Sequence, residues 1–294
     1  MVRPQQAFLF DNAIVHAKPF RTQLLKWIGN KQRFAHEIIS YFPTNFNTYR
    51  EPFLGSGAVL GTLAPAKAVG SDAFAPLIEI WQTLRDNPEK LKIWYAERWR
   101  RMKDGEKVAV YAEILNSYNA KPNGADLLFL SRSCYGGVVR FRQDGYMSTP
   151  CGPHSPISPE SFSDRVDIWR FRTNGAQFLH RDYGNSIDDA QSGDLIYCDP
   201  PYTFTQSILY GSQKFDLVHL FEKIRQAKLN GAWVILSIDG SKKSGNFLCD
   251  IRIPDGLFER EVMVNCGRSM LKRFQMDGRT LESEVVQDRL LLTY

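Results

Sequence analysis

The sequence has no long hydrophobic run and no recognisable secretion signal. Nowhere do about 18 apolar residues follow one another, which is the length that a membrane-spanning helix requires. The N-terminal stretch MVRPQQAFLFDNAIVHAKPF also lacks the basic start and continuous apolar segment of a signal peptide. Both absences predict a soluble, cytoplasmic protein.

Paired cysteines and metal-binding histidine motifs are absent as well. The five cysteines are odd in number, and no two lie close together in the sequence, so a disulfide framework is not indicated. The five histidines do not have the spacing of zinc ligands. We therefore expect neither redox nor metal chemistry.

What is present is the composition of a globular chain with a mildly basic surface. Hydrophobic residues make up 43% of the 294 positions, enough for one large domain or for a domain with an insertion. The net charge of +5 permits a polyanionic partner without requiring one.

Short apolar runs alternate with helical patterns. KQRFAHEIISYF predicts an amphipathic helix stopped by Pro43, GAVLGTLA a helix after a glycine turn, and AKAVGSD a strand ending on Asp72. Residues 217–229 predict a helix capped by Asp216. Further strands are predicted for AQFLHRD, DLIYCDP, WVILSID and REVMVNC. This alternation predicts a doubly wound, Rossmann-like α/β fold with a mostly parallel sheet covered on both faces.

Residues 79–174 interrupt this alternation. A Trp/Arg-rich helix is followed there by a segment rich in glycine, proline and serine, in which YGGVVRFRQDGYMSTP predicts a β-hairpin with its turn at 143–145. We predict that 79–174 form an inserted domain, mainly helical with this hairpin. Residues 21–78 and 175–294 would then form the main domain, and 1–20 an N-terminal arm.

The most informative motif is Asp199-Pro200-Pro201-Tyr202, directly after the apolar strand LIYC. Ligands of open α/β sheets bind outside the carboxyl ends of the strands, where this motif is expected. Two prolines hold the backbone extended, so that a carboxylate, a fixed carbonyl and an aromatic ring converge. Hydrogen bonds from an adenine amino group to Asp199 and to the Pro200 carbonyl would localise the nitrogen lone pair, while Tyr202 stacks on the base.

A second motif, EPFLGSG at residues 51–57, predicts a strand that turns through glycines into a helix. Glycines there let the backbone approach a nucleoside. Asp72, at the end of the next strand, is expected to bind ribose hydroxyls. The loop lacks the Gly-Lys-Ser/Thr ending of a nucleotide phosphate loop, and Leu60 replaces the third glycine of the dinucleotide fingerprint. S-adenosylmethionine, with one ribose and no phosphate, remains as the predicted cofactor.

These blocks together resemble the Dam-like alpha class of adenine-N6 DNA methyltransferases. The resemblance runs in order from Leu25 to Tyr294. It rests on KWIGNK, EPFLGSGAV, SD, RDY and DPPY, with YGGVVRFRQDGYMSTPCG similar to the DNA-reading hairpin of the class and LLLTY to its closing strand. Asp144 departs from the pattern, because Dam has a basic residue near this turn.

The resemblance implies roles for individual residues. Asp199, Pro200 and Tyr202 would form the catalytic pocket for the target base, with Phe215 packed nearby. The cofactor would be bound by Trp27, Lys31, Phe53, Gly55, Gly57, Asp72, Asp182, Tyr183 and Asp199. No metal is implied.

Double-stranded DNA is the implied partner, with the target adenine flipped out of the stack. The predicted DNA contacts are Arg140 and Arg142 on the hairpin, together with Arg132, Arg268 and Lys272.

Two other functions remain open at this point. The same pocket could methylate RNA or a protein amide, or the chain could be a catalytically silent DNA-recognition module. The recognised DNA sequence, the preference for unmethylated or hemimethylated DNA, a companion restriction endonuclease and the oligomeric state are also left open.

Overall fold

The computed structural model describes residues 15–201, 215–242, 247–248, 251–268 and 285–294. Side chains are described for these residues except 239–242, 247–248, 266–268 and 285–287. Tyr202 and Lys272 lie outside the described residues. Within the described part of the chain, no helix combines the length and the apolar character needed to cross a membrane.

Eight strands of the described chain form one sheet in the order β3-β2-β1-β4-β5-β8-β7, with β6 paired to β5. The strands are β1 (Tyr49–Glu51), β2 (Ala68–Asp72), β3 (Ala176–His180), β4 (Leu195–Cys198), β5 (Trp233–Lys242), β6 (Phe247–Leu248), β7 (Arg260–Arg268) and β8 (Val285–Leu292). The first five strands in this order are parallel, whereas β8 runs antiparallel to both β5 and β7. The predicted mostly parallel sheet is confirmed, with an antiparallel end.

Nine α-helices accompany the sheet in the described residues. They are α1 (Ala35–Ile39), α2 (Ala58–Leu63), α3 (Ala75–Asp86), α4 (Pro88–Asp104), α5 (Lys107–Ala120), α6 (Gly124–Ser133), α7 (Pro159–Arg172), α8 (Tyr183–Asp188) and α9 (Leu217–Leu229). Helix α1 is shorter than predicted, because after Ile39 the amides of Tyr41 and Phe42 bond to carbonyls three residues earlier, which tightens the chain into turns.

Side chains of the central strands alternate between two hydrophobic cores. Leu195 and Tyr197 of β4 belong to a core that also contains α1 and α3–α7. Ile196 and Cys198 belong to a second core with α8 and α9. The sheet is therefore covered on both faces, as predicted for a doubly wound fold.

Helix α9 shows how local sequence produces this cover. The Asp216 side chain accepts hydrogen bonds from the amides of Val218 and His219, which caps the helix as predicted. Leu220 and Ile224, four residues apart on one helical face, are fully buried against the sheet.

Helices α4–α7 and the hairpin lie in the predicted insertion. Position 79 falls within α3, and Trp81 of that helix packs 5.3 Å from Trp169 of α7 and 5.5 Å from Phe178 of β3. One hydrophobic core thus contains residues of 79–174 and residues of the main domain. The domain boundaries at 79 and 174 therefore stay a prediction. The hairpin itself is confirmed by the antiparallel bridge between Phe141 and Met147.

The buried Asp194 ties the start of β1 to β4. Its carboxylate lies 2.7 Å from Arg50 Nε and accepts hydrogen bonds from the amides of Thr48 (3.1 Å) and Gln191 (3.1 Å). Only 3% of the Asp194 side chain is exposed.

We expect Asp194→Ala to lower the free energy of unfolding by about 3 kcal/mol, because it leaves the partly buried Arg50 guanidinium and two amides without their acceptor. Urea denaturation measures this difference. Asp86→Ala is the matched control, because Asp86 is 60% exposed in its pair with Arg85 and should change stability by less than about 0.5 kcal/mol. Equal effects of the two substitutions would contradict the prediction.

Candidate active site

A pocket opens where the carboxyl ends of β1, β2 and β4 meet. It is formed by the chain after each of these strands and by the segment around Trp27. The lining residues are Trp27, Ile28, Gly29, Lys31, Glu51, Phe53, Leu54, Gly55, Ser56, Ala58, Val59, Asp72, Asp199 and Pro201. This edge of a parallel sheet is where doubly wound folds bind ligands.

The loop after β1 depends on two glycines in the left-handed region, Gly55 (φ 48°) and Gly57 (φ 61°). A Cβ atom at Gly55 would lie 3.3 Å from Cδ1 of Trp27, so the missing side chain leaves room in the pocket. A Cβ atom at Gly57 would instead lie 3.0 Å from the Trp81 ring. Gly55 lines the pocket, whereas Gly57 is required for packing against the helix behind it.

Asp72 fastens this loop to the end of β2. Its carboxylate accepts hydrogen bonds from the amides of Gly55 (3.1 Å) and Phe74 (3.0 Å). Burial raises the pKa of Asp72 to about 6, although these hydrogen bonds act in the opposite direction. Near neutral pH the group is therefore mostly a carboxylate that faces the pocket.

Glu51 is a pocket residue to which the sequence motif assigned no role. Its Oε2 accepts hydrogen bonds from the Tyr49 hydroxyl (2.9 Å) and the Leu60 amide (3.0 Å). Burial raises the pKa of Glu51 to about 8, and the negative charge of Asp199 acts in the same direction. In the sequence, its position at the end of a predicted strand and directly before the glycine turn could have indicated a pocket residue.

Lys31 lies between two carboxylates. Its Nζ is 3.0 Å from Asp199 Oδ1 and 3.1 Å from Asp288 Oδ2, and only 5% of its side chain is exposed. Burial alone would lower the pKa of Lys31, but the charges of Asp199 and Asp288 hold it well above its ordinary value. Lys31 is therefore a buried cation, paired directly with the first residue of the DPPY motif.

Aromatic rings surround the pocket. Trp27 packs 5.8 Å from Phe74, which in turn meets Phe141 of the hairpin at 5.3 Å. On the other side, Phe53 stacks on Tyr183 at 5.1 Å and meets Phe215 edge-on at 6.0 Å. One aromatic chain thus joins the pocket wall to the hairpin.

Two of the predicted cofactor contacts, Asp182 and Tyr183, have local hydrogen-bond partners instead. Tyr183 is buried, and its hydroxyl donates to the Asp216 carbonyl at 3.1 Å. Asp182 is exposed, and its side chain caps α8 by accepting from the Gly184 amide at 2.7 Å. Neither residue lines the pocket as it stands.

The DPPY motif meets the pocket directly. Asp199 and Pro201 line it, while Pro200 between them is buried. A carboxylate at the pocket wall, followed by rigid backbone, is suited to accept hydrogen bonds from a flat amine.

The predicted DNA contacts fall into three groups. Arg140 and Arg142 are exposed on the hairpin, and the Arg142 guanidinium lies 4.7 Å above the Tyr146 ring. Arg268 ends β7. Arg132 differs, because it is buried and donates to the carbonyls of Gln23 and Leu24 at 3.1 and 3.0 Å.

The position of Arg132 requires a correction. Its guanidinium holds the segment that leads to the pocket residue Trp27, and Arg165 and Trp169 bond to the same segment. A DNA contact by Arg132 is therefore not supported, because its charge is used inside the protein.

Asp144, the departure at the hairpin turn, has a local function. Its side chain accepts a hydrogen bond from the Tyr146 amide at 3.0 Å, and Gly145 follows with a φ of 83°. Asp144 thus closes the turn, as aspartate does in many tight turns.

Comparison with known proteins decides which family this pocket belongs to. A sequence model of the D12 class N6 adenine-specific DNA methyltransferases matches residues 27–246, which include the glycine loop and the DPPY motif. The chain belongs to this family.

The curated relatives of this D12-class methyltransferase include a type II methyltransferase and DNA adenine methylases. The type II methyltransferase M1.LlaDCHI of Lactococcus lactis subsp. cremoris is 25% identical, over 81% of this chain and 87% of that protein. The retron Ec67 DNA adenine methylase of Escherichia coli is 26% identical, over 73% and 76% of the two chains. The DNA adenine methylase of Vibrio cholerae is 28% identical, over 60% and 64%.

A solved structure offers a weaker likeness. The rRNA methyltransferase aviRa of Streptomyces viridochromogenes covers 89% of this chain and 84% of its own, with 9% identity and a TM-score of 0.37. A likeness of this size carries no argument about the substrate. DNA adenine methylation is the activity of the family to which this chain belongs.

The raised pKa of Glu51 gives a stability prediction for the D12-class methyltransferase. The ordinary pKa is 4.5 and the folded value about 8, so the contribution of Glu51 to stability is complete below pH 4.5 and is lost as the pH rises to about 8. Glu51→Gln stays neutral and can accept the same two hydrogen bonds. Its unfolding free energy should therefore decline less across this range.

Urea denaturation at several pH values measures the decline. The control is Glu222→Gln, an exposed position on α9 that should keep the parent pH dependence. An unchanged slope in Glu51→Gln would contradict the neutral state inferred for this carboxyl group.

Proposed function

We propose that this D12-class methyltransferase transfers a methyl group from S-adenosylmethionine to N6 of a flipped-out adenine in duplex DNA, with Asp199 as the catalytic carboxylate. The observation that carries the proposal is the shared pocket. Asp199 lies in the same lining as Asp72 and the Gly55 turn, so a nucleoside cofactor and a target base can meet there.

The charges of the pocket support S-adenosylmethionine as the methyl donor. Lys31 is the one cationic side chain among the lining residues described, and it is engaged by Asp199 and Asp288. A phosphate would therefore find no uncommitted cation in this lining. A single ribose and a sulfonium cation suit a pocket lined by Asp72, Asp199 and the backbone at Gly55.

Several pocket residues would bind the cofactor. Asp72 would accept hydrogen bonds from the ribose hydroxyls, and Trp27, Phe53 and the Gly55 backbone would enclose the rest of the cofactor. S-adenosylmethionine supplies an electrophilic methyl group. Contacts of Lys31, Gly57, Asp182 and Tyr183 with the cofactor remain predictions from the family resemblance.

Asp199 would act on the target amine. Its Oδ1 is paired with the ammonium group of Lys31, which holds the carboxylate at the pocket wall. One amino N–H would donate to Asp199 and the other to the Pro200 carbonyl, which favours a pyramidal nitrogen with a localised lone pair. Tyr202 would stack on the base.

The hairpin is the proposed DNA contact within 79–174. The exposed guanidinium groups of Arg140 and Arg142 can bind phosphates or guanine edges. Arg268 and Lys272 are further proposed contacts. A companion restriction endonuclease stays a prediction.

Transfer from tritiated S-adenosylmethionine to unmethylated plasmid DNA, followed by nucleoside analysis, tests the proposal. Label in N6-methyladenine is expected. Label in RNA or protein but not in DNA would overturn the substrate, and DNA binding without any transfer would favour a silent recognition module.

Asp199→Ala should reduce transfer by about 100-fold or more, because a hydrogen bond that strengthens in the transition state is lost. Calorimetry should still detect cofactor binding by this variant. Asp164→Ala, an exposed position on α7, is the matched control and should keep full activity. Normal turnover by Asp199→Ala would refute the catalytic role of the carboxylate.

A further inference from the structure

Asp288 is a buried carboxylate that the proposed reaction does not use. It lies on β8 with 4% of its surface exposed, and its Oδ2 is 3.1 Å from Lys31 Nζ. The same ammonium group is 3.0 Å from Asp199 Oδ1. Lys31 thus connects a residue near the end of the chain to the first residue of the DPPY motif.

The antiparallel strand β8 places Asp288 there. In the backbone register of the sheet, Asp288 lies opposite Asp239 of β5. Strand β5 is in turn the neighbour of β4, and Asp199 directly follows β4. The ammonium of Lys31 bridges the two carboxylates at this edge of the sheet. The free energy lost when a lysine ammonium leaves water exceeds what a single ion pair supplies, unless further acceptors bind the same group. Asp288 is such a second acceptor for Lys31.

We propose that Asp288 is a positioning residue that holds the Lys31 ammonium and, through it, the Asp199 carboxylate in the orientation that receives the target amine. This inference rests on the proposed function of Asp199. Asp288 itself lines no part of the pocket, so it does not act as a catalytic group.

The charged and titratable groups around this bridge define its electrostatics. Lys31 is faced by Asp199, Asp288 and Tyr197, and Glu51 acts on Asp199 from β1. With Asp288 present, the charge of Lys31 is shared between two carboxylates. Without Asp288, the ammonium group of Lys31 loses one of these two partners and acts more strongly on Asp199, which becomes harder to protonate and a weaker hydrogen-bond acceptor.

Asp288→Asn removes the charge and keeps the size of the side chain. We expect kcat to fall about 10-fold or more while KM for DNA and cofactor changes little, because the reacting geometry and not the binding surface is altered. The acid limb of the kcat profile should move to lower pH. A merely structural role would not move that limb.

Asp288→Glu, which keeps the charge, should retain the acid limb of the parent enzyme. Asp164→Asn is the control on an exposed site. An unchanged kcat and pH profile in folded Asp288→Asn would overturn the proposal.

Methyl transfer to DNA by the parent enzyme tests the proposed function. The kcat of Asp288→Asn divided by the kcat of the parent tests the role of Asp288 separately. A second readout needs no activity. Urea denaturation of Asp199→Asn, Asp288→Asn and the double variant should show non-additive effects, since both residues share Lys31. Full additivity would overturn the inference even if the substrate were not DNA.

Cys134 and Cys151 face each other across the base of the hairpin. The Tyr135 amide donates to the Pro150 carbonyl and the Gly152 amide to the Ser133 carbonyl, both at 2.8 Å. The two cysteines therefore form a non-hydrogen-bonded antiparallel pair. Cα atoms in such pairs lie about 4.5 Å apart, within the range that a disulfide spans.

We infer that Cys134 and Cys151 are a site of reversible disulfide formation with a small disulfide such as oxidised glutathione. Cys151, which is half-buried, would attack first as a thiolate, breaking the S–S bond and releasing one thiol. Cys134 would then displace the second thiol. The chain loses two protons and two electrons, and the small disulfide gains them.

Burial raises the pKa of Cys134 to about 12 and also raises that of Cys151, so the reaction should be slow near neutral pH and faster in mild alkali. Native protein incubated with oxidised glutathione should lose the mass of two hydrogen atoms, and peptide mapping should find Cys134 linked to Cys151. Cys151→Ser should not form this link. A stable glutathione adduct, or no reaction at these positions, would overturn the inference.

Discussion

The ammonium group of Lys31 is the interaction on which the arrangement of the pocket depends. It joins the segment before α1, the residue that follows β4 and the strand β8 at one point beside the pocket. A surface lysine can exchange one partner for another at little cost. A buried lysine cannot, because any other position of its ammonium group would leave charges unpaired in the protein interior. The strand order of the sheet and the position of Asp199 are thereby coupled.

Buried ion pairs of this kind contribute more to geometry than to stability. Removing charges from water costs several kcal/mol per ion, and the attraction between them largely offsets that cost without exceeding it by much. The benefit is a carboxylate with one defined direction. Asp72 and Glu51, which line the same pocket without a direct lysine or arginine partner, have pKa values that burial raises.

Much of the fold was predictable from the sequence. Apolar runs of strand length marked β2–β5 and β7, and the cap at Asp216 marked α9. Motif spacing identified the glycine loop, Asp72 and Asp199, which share the pocket. These features depend on neighbours in sequence, where periodicity and turn chemistry can be read directly.

Contacts between side chains that lie far apart in the chain could not be predicted from the sequence. Arg132 was expected at DNA, yet its guanidinium is buried and donates to the backbone carbonyls of Gln23 and Leu24. Lys31 lines the pocket, but its pairing with Asp199 and Asp288 could not be read from the sequence. A lysine or arginine looks alike in sequence whether its partner is solvent, a phosphate or a carboxylate far along the chain. The contact of Asp288 with Lys31 and the backbone pairing of Cys134 with Cys151 could not be read from the sequence for the same reason.

The hairpin is anchored to α5, and the space around Gly145 in its turn is open. Met147 exchanges two hydrogen bonds with Asn119, and the Thr149 carbonyl accepts from Tyr111, while no atom lies within 4 Å of the Cβ position at Gly145. Exposed tip residues can therefore be exchanged at little cost to folding, provided that the turn itself is kept. Under the proposed DNA-binding role of the hairpin, its exposed residues could therefore be exchanged without disturbing the residues that line the pocket.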